Sequence, residues 1–407
     1  MNNRIELIDT TLRDGQQSPL LSDAKKYFFT LDDKLQILES LILLGVKYFE
    51  LFSPIVSKKE EKDFKEIRKF VDQKYSGFDI KLLAHVRCHK DDINQALQAG
   101  ADGLNLYIGT SQESQKSNHG KTINQISDLV VPIISDVRSK HPHLHLRFSG
   151  EDAFRTKTSD LLKVYGHLAK HVNLFGMPDT VGVATPTTVV EKIKLIKHRF
   201  PTKDLEIHFH NDRGLALINA LTAITAGARF VDSAVWGLAE RSGIPSTTAI
   251  LLNLSKMDKN YVEGYDLKLC YPVNILMGSI LRMHVPFTEP VSLTNRTHSA
   301  GVHQQAVLKN KNVYEAQDLE SFGVERNEIL LGPLSGWHLI AYYLREVENY
   351  ELTDEQAKEI TFEFKNSVKK MNKRNSPQKV LLTIVEKYPI AKTNIPKEFE
   401  RRRIENL

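Results

Sequence analysis

An eightfold alternation constrains this chain more than any other feature. Short apolar runs of β type recur at 5–10, 47–52, 79–85, 103–109, 143–148, 172–177, 205–210 and 230–235. Between them lie longer stretches with helical periodicity, among them 31–44, 91–99, 123–139, 186–199 and 215–226. Ala-Gly-Ala at 99–101 and again at 226–228 supplies the small-residue corner that ends a helix before the next strand. Eight such β-α units within roughly 250 residues predict a (β/α)8 TIM barrel over 1–256. An open doubly wound sheet is the alternative, but it carries a glycine-rich phosphate turn after its first strand. Here that place reads Asp-Thr-Thr-Leu-Arg-Asp-Gly-Gln-Gln, 9–17. The alternation stops near residue 257, and helical patterns at 353–371 and 376–388 predict a mainly helical C-terminal extension, 257–407.

Composition excludes several classes. Lys plus Arg is 55 against 50 for Asp plus Glu, and no dense basic stripe argues for nucleic acid. The mixed charges of 58–69 read as a solvated helix face, and Glu-Arg-Arg-Arg at 400–403 as a surface tail. Cys88 and Cys270 are far apart, so neither a disulfide framework nor a cysteine zinc site is implied. With no signal-peptide pattern and no apolar run of membrane-spanning length, a soluble cytoplasmic protein is expected.

Barrel chemistry gathers at the C-terminal ends of the strands. Strand 1 delivers Arg13 and Asp14, strand 3 His85, strand 5 Arg147, Ser149 and Glu151, strand 6 Asp179 and Thr180, and strand 7 His208, His210 and Asn211. Residues two apart on a strand share a face, so His208 and His210 point together into the barrel mouth. Only strand 8 separates strand 7 from strand 1, which brings Asp14 within reach of both. Two imidazoles and a carboxylate hold a divalent cation while leaving positions open for a ligand. His-Pro-His-Leu-His at 141–145 has the same spacing but opens its strand, so it belongs to the opposite, stability face.

These residues resemble a known family. Asp-Thr-Thr-Leu-Arg-Asp-Gly-Gln-Gln (9–17), His-Phe-His-Asn-Asp (208–212) and Gly-Leu-Ala-Glu-Arg-Ser-Gly (237–243) are similar to signatures of the homocitrate synthase/2-isopropylmalate synthase family, whose wider group includes 3-hydroxy-3-methylglutaryl-CoA lyase. AHVRCHKDD, RFSGEDAFR, DTVGVATP and THSAGVHQQAVL follow in the order of the homocitrate synthases, and the resemblance spans residues 5 to about 388. It implies a metal-dependent acyltransferase joining acetyl-CoA to a 2-oxo acid, with Asp14, His208 and His210 holding Zn, Mg or Mn. Arg13 then lies against the substrate carbonyl, and His85, Arg147, Ser149 and Thr180 hold its carboxylates. Glu151, His303 and Tyr314 match the proton-transfer positions. His303 and Tyr314 lie in the extension, which in the family reaches over a partner's barrel, implying a homodimer with a swapped extension.

The chemistry fits that assignment. A methyl group beside a thioester is a weak acid, so a placed base such as His303, assisted by Glu151, must act while the electrophile is polarised. Arg13 places fixed positive charge where an alkoxide develops. An arginine clamp at Arg147 favours a dicarboxylic 2-oxo acid over a branched apolar one; 2-oxoglutarate is the leading expectation, with oxaloacetate, pyruvate and 2-oxoisovalerate as alternatives on the same chemistry. A lyase acting on a hydroxyacyl-CoA is the other reading, and Cys270 is its one candidate for a reactive loop thiol. The chain departs from the family pattern at Arg213, Ala239, Ser242, Ser246, Thr247 and Ser299, which puts substrate contacts rather than the chemistry in doubt.

Overall fold

A computed structural model describes residues 3–371 and 375–392; the basic run at 400–403 lies outside them. Eight parallel strands close into a barrel in sequence order: β1 (Glu6–Asp9), β2 (Tyr48–Leu51), β3 (Lys81–Arg87), β4 (Gly103–Gly109), β5 (His145–Glu151), β6 (Leu174–Asp179), β7 (Asp204–Phe209) and β8 (Phe230–Ser233). Closure comes where β1 pairs with both β2 and β8, with Ile8 opposite Tyr48 on one side and Asp232 on the other. The open-sheet alternative is thereby excluded.

Helix boundaries follow local chemistry. Thr30 and Asp33 form a capping box that starts Leu31–Leu44. Gly45 ends that helix at φ +105°, where a Cβ would strike the Gly264 carbonyl. Thr122 with Gln125, and Thr185 with Pro186 at the first position, start the helices Ile123–Lys140 and Pro186–Arg199 in the same way.

The barrel interior is layered. At the N-terminal end Ile8, Leu83, Leu174 and Phe230 pack with Tyr48. His145, also at this end, packs its ring against Tyr48 and Phe230. Two residues further along, β2, β4, β5, β7 and β8 turn polar, with Glu50, Asn105, Arg147, Glu206 and Asp232 all buried. A charged layer thus lies where such barrels are filled chiefly by bulky branched apolar residues.

The structure divides between Val291 and Ser292 rather than at the 256/257 boundary read from the sequence. The segment after the helix Thr247–Met257 belongs to the barrel because it covers the N-terminal end. There the Tyr265 hydroxyl donates to the Ile5 carbonyl at 3.1 Å and accepts from Leu7 N at 3.0 Å. The Arg4 guanidinium lies 4.1 Å over the Tyr265 ring and donates to the Gly45 carbonyl at 2.6 Å.

The second unit has its own core, built from Ile329, Leu339, Ile340, Leu344, Ile360, Phe364, Leu381 and Ile384. Its helices Asp354–Val368 and Pro377–Val385 start at the caps Thr353 and Ser376. A two-stranded parallel sheet pairs Thr297–His298 with Glu328–Ile329.

Candidate active site at the barrel mouth

A cavity of about 550 Å³ opens at the C-terminal ends of the strands, and all its lining residues belong to the barrel unit. Of the residues singled out from the sequence, Arg13, Asp14, His85, Arg147, Ser149, Glu151, Thr180, His208 and His210 line it. Asp179 and Asn211 serve the fold instead. The Asp179 carboxylate accepts from Val183 N and Ala184 N at 3.0 and 2.9 Å, and Asn211 Oδ1 accepts from Ala216 N at 3.2 Å.

Asp14, His208 and His210 converge as their spacing predicts. His208 Nε2 lies 3.2 Å from His210 Nε2 and 3.4 Å from Asp14 Oδ2, and His210 Nε2 lies 4.0 Å from the same oxygen. Ligands about 2.0–2.2 Å from one ion sit roughly 3.3 Å from each other, so the triangle has the right size for a metal. The donors are in binding form. Asp14 Oδ2 is buried with no hydrogen-bond partner. Burial and the adjoining His208 depress the His210 pKa to about 3, which keeps its ring neutral. His208 Nδ1 donates to Asp232 Oδ2 at 2.9 Å, which fixes the tautomer and leaves Nε2 with a free lone pair. Formal charge agrees: four buried carboxylates (Asp14, Glu50, Glu206 and Asp232) face two guanidiniums (Arg13 and Arg147), a deficit that one divalent cation balances.

Glu50 is the organiser that sequence reading missed. Fully buried, it takes Arg13 Nε and Nη2 on Oε1 at 2.7 Å each and Arg147 Nη2 on Oε2 at 3.1 Å. His85 Nδ1 lies 3.5 Å from Oε1, and Asn105 donates to Oε2. Burial opposes its ionisation, but Arg13, His85 and Arg147 together hold its carboxyl well below the usual range. So held, Arg13 aims Nη1 at Asp14 Oδ2, 3.4 Å away. The signal for these hidden groups was the strand period itself: Glu50, Glu206 and Asp232 alternate in register with the interior positions of β2, β7 and β8.

Arg147 pairs with Glu50, Glu206 and Asp232, leaving Nε buried without a partner. Ser149 has room beside it because β6 carries Gly176, where a Cβ would run into Ser149 Oγ. His85 stacks on Tyr107 with ring centroids 4.3 Å apart. At Glu151 burial, followed by the charge of Asp152, raises the carboxyl pKa above the ordinary range. Arg241, also on the cavity wall, grips Asp212 through Nε and Nη2 at 2.7 and 3.1 Å and donates to the Thr180 carbonyl at 2.7 Å.

Position bears on three other expectations. Arg213 is exposed and donates to the Val183 carbonyl at 3.1 Å, and it is absent from the cavity wall. Cys270 is fully buried at the start of the helix Cys270–Leu281, where burial raises its thiol pKa, so it is no loop nucleophile. His303 and Tyr314 lie in the second unit, with their rings stacked at 3.8 Å.

Comparison with known proteins agrees with this architecture. Residues 4–273 match the HMGL-like family model, and residues 291–372 match the homocitrate synthase post-HMGL domain-like model. The cytosolic homocitrate synthase isozyme of Saccharomyces cerevisiae is 37% identical over 89% of this chain and 82% of its own length. The mitochondrial homocitrate synthase of the same yeast is 38% identical over 88% of this chain and 79% of its own. The 2-isopropylmalate synthase of Ruminiclostridium cellulolyticum is 31% identical over 90% and 71%. Among solved structures, the Bacillus subtilis HMG-CoA lyase superposes with a TM-score of 0.57 at 20% identity, covering 70% of this chain and 96% of that one, a likeness of fold alone. The chain belongs to the HMGL-like family, within its homocitrate synthase and 2-isopropylmalate synthase group of acyltransferases.

Proposed function

We propose that this chain condenses acetyl-CoA with 2-oxoglutarate, hydrolyses the thioester and releases homocitrate and CoA. The observation that carries the reading is the meeting of Asp14, His208 and His210 with Arg13 and Arg147 in one cavity, in a chain whose relatives are homocitrate synthases. A divalent ion held by the first three would supply Lewis-acid polarisation of the 2-oxo group. Arg13, braced by Glu50, holds positive charge beside the oxygen that becomes an alkoxide. Ser149, Thr180, His85 and the free Arg147 Nε offer donors to the carboxylates, which favours a dicarboxylic acid over a branched apolar one.

His303 takes the methyl proton of acetyl-CoA. The resulting carbon forms the new bond to the carbonyl carbon of the oxo acid as the carbonyl π electrons move to the oxygen, and that oxygen takes up the proton removed from the methyl group, passed on from His303 with Glu151 and Tyr314 in the relay. Water then cleaves the thioester, making the sequence effectively irreversible. Because His303 belongs to the second unit, the same proposal includes a homodimer whose extension serves the partner's barrel. A cytosolic location, that of one of the two Saccharomyces cerevisiae isozymes, belongs to the proposal too.

Free-thiol release from acetyl-CoA, followed across a panel of 2-oxo acids with Zn, Mg or Mn, tests the reading. Strong release with 2-oxoglutarate supports it; release only with 2-oxoisovalerate, or cleavage of a hydroxyacyl-CoA alone, overturns it. Mixing inactive His208→Ala and His303→Ala chains should restore partial activity if sites are shared between subunits. Continued silence of correctly mixed dimers would remove the swapped arrangement.

A further inference from the structure

The second unit contains a buried ion cluster directly beside His303 and Tyr314. Glu315, the residue after Tyr314, accepts from Arg296 Nε and Nη2 on Oε2 at 2.9 and 2.8 Å. Its Oε1 accepts from His298 Nε2 at 3.1 Å and Asn327 Nδ2 at 3.0 Å. The Arg296 and Glu315 side chains are each only 5% exposed. Arg296 also donates to the Val324 carbonyl at 2.5 Å and to Glu320 at 3.1 Å. Gln304, next to His303 on the helix Gly301–Lys309, donates to the carbonyls of His298 and Leu330 at 3.2 and 2.6 Å. The cluster and Gln304 thus tie together the strand carrying His298, the loop carrying Tyr314 and the helix carrying His303.

The pair itself has little to hold it. His303 is exposed on the first turn of its helix, and Tyr314 is 40% exposed. Stacking at 3.8 Å and 22° selects one imidazole orientation, yet an exposed tyrosine gains little from burial and would swing freely on an unanchored loop. The neighbouring carboxylate, with four donors on it, is the anchor.

We propose that Glu315 is a positioning residue for the His303–Tyr314 pair, holding it through the buried cluster of Arg296, His298 and Asn327. The catalytic part of this inference rests on the role of His303 given above. A misplacement of a proton-transferring group by about 1 Å costs on the order of a hundredfold, so losing the anchor should cost at least roughly tenfold in turnover.

The test uses the full-length, metal-loaded protein. Glu315→Ala should lower kcat at least about tenfold while KM for the oxo acid changes less than about twofold. Glu315→Gln, which keeps an acceptor for Arg296 but cannot accept from all four donors, should fall between. His303→Ala/Glu315→Ala should be no slower than His303→Ala alone, because the effect runs through that histidine. In parallel, the ring-current shift that Tyr314 imposes on the His303 imidazole, assigned in carbon-13-labelled protein by its loss in His303→Ala, should collapse in Glu315→Ala. Should Glu315→Ala not fold, Glu315→Gln is read in its place by the same criteria. Wild-type kcat with an unchanged ring-current shift overturns the inference, as does a double variant slower than His303→Ala by the full single-variant factor. A fully active His303→Ala defeats the catalytic reading itself, and the ring-current measurement still decides whether Glu315 holds the pair.

Discussion

In the barrel unit His208 and His210 stand at the end of a strand closed into a ring and Asp14 on the turn after β1, with Asp232 holding His208 and Glu50 holding the neighbouring Arg13. In the second unit His303 and Tyr314 sit on a nine-residue helix and the loop beyond it, held by a single ion cluster. The first arrangement fixes ligand atoms through backbone ladders that no single side chain controls. The second depends on one carboxylate and its donors. Metal and substrate binding should therefore fail separately from proton transfer.

The largest effect should expose that separation directly. His208→Ala should lose the bound metal and about ten-thousand-fold in turnover, whereas His303→Ala should lose turnover and keep the metal. Metal analysis beside thiol-release kinetics checks both, and loss of metal in His303→Ala would break the contrast. Next comes the frame beneath the ligands. Glu50→Gln leaves Arg13 and Arg147 short of their shared counter-charge and should destabilise the barrel by about 3 kcal/mol in urea unfolding. An unchanged midpoint would mean that the charged layer is not part of the scaffold.

At the N-terminal end His145 should link stability to pH. Burial, reinforced by the charge of Arg147, lowers its pKa from 6.5 to about 4 in the folded chain. Between those values the unfolded chain binds the extra proton, so stability should be fully present above pH 6.5 and fall as pH drops toward 4. The loss is on the order of 3 kcal/mol, and His145→Phe should flatten the profile; a slope unchanged in that variant would assign the effect elsewhere. Asp232→Asn removes the acceptor that fixes the His208 tautomer and should weaken metal affinity about tenfold or more, measured by competition with a chelator. Smallest of all, Arg213→Thr should leave KM for the oxo acid within about twofold, since an exposed arginine on a loop carbonyl touches no cavity wall.

The strand-helix alternation made most of the barrel legible, because period-two and helical patterns both act over short windows; β4 lies at 103–109 as read. The convergence of Asp14, His208 and His210 was legible too, since His208 and His210 share a strand face whose end the topology points at Asp14. What stayed hidden were Glu50, Glu206 and Asp232. Their significance depends on which residue stands across the barrel, and that is a matter of register between strands far apart in sequence. Asp179 and Asn211 misled for the opposite reason: a strand end must also satisfy the backbone donors of the loop that follows. The end of the barrel unit was misplaced because Tyr265 and Arg4 bind the later segment to the barrel floor through contacts that carry no local periodicity.

The placing of Arg147 among three carboxylates bears on how this site could be retuned. To admit a 2-oxo acid with an apolar tail, the simplest change is to shorten that arginine. Doing so alone takes their arginine partner from Glu206 and Asp232 in the barrel centre and leaves Glu50 with Arg13 as its one guanidinium, and Asp232 also orients His208. Substrate preference is therefore wired into the scaffold as a set. A laboratory search that varies these positions one at a time should find mostly unfolded or metal-poor chains, and new specificities should emerge only from libraries that vary them together.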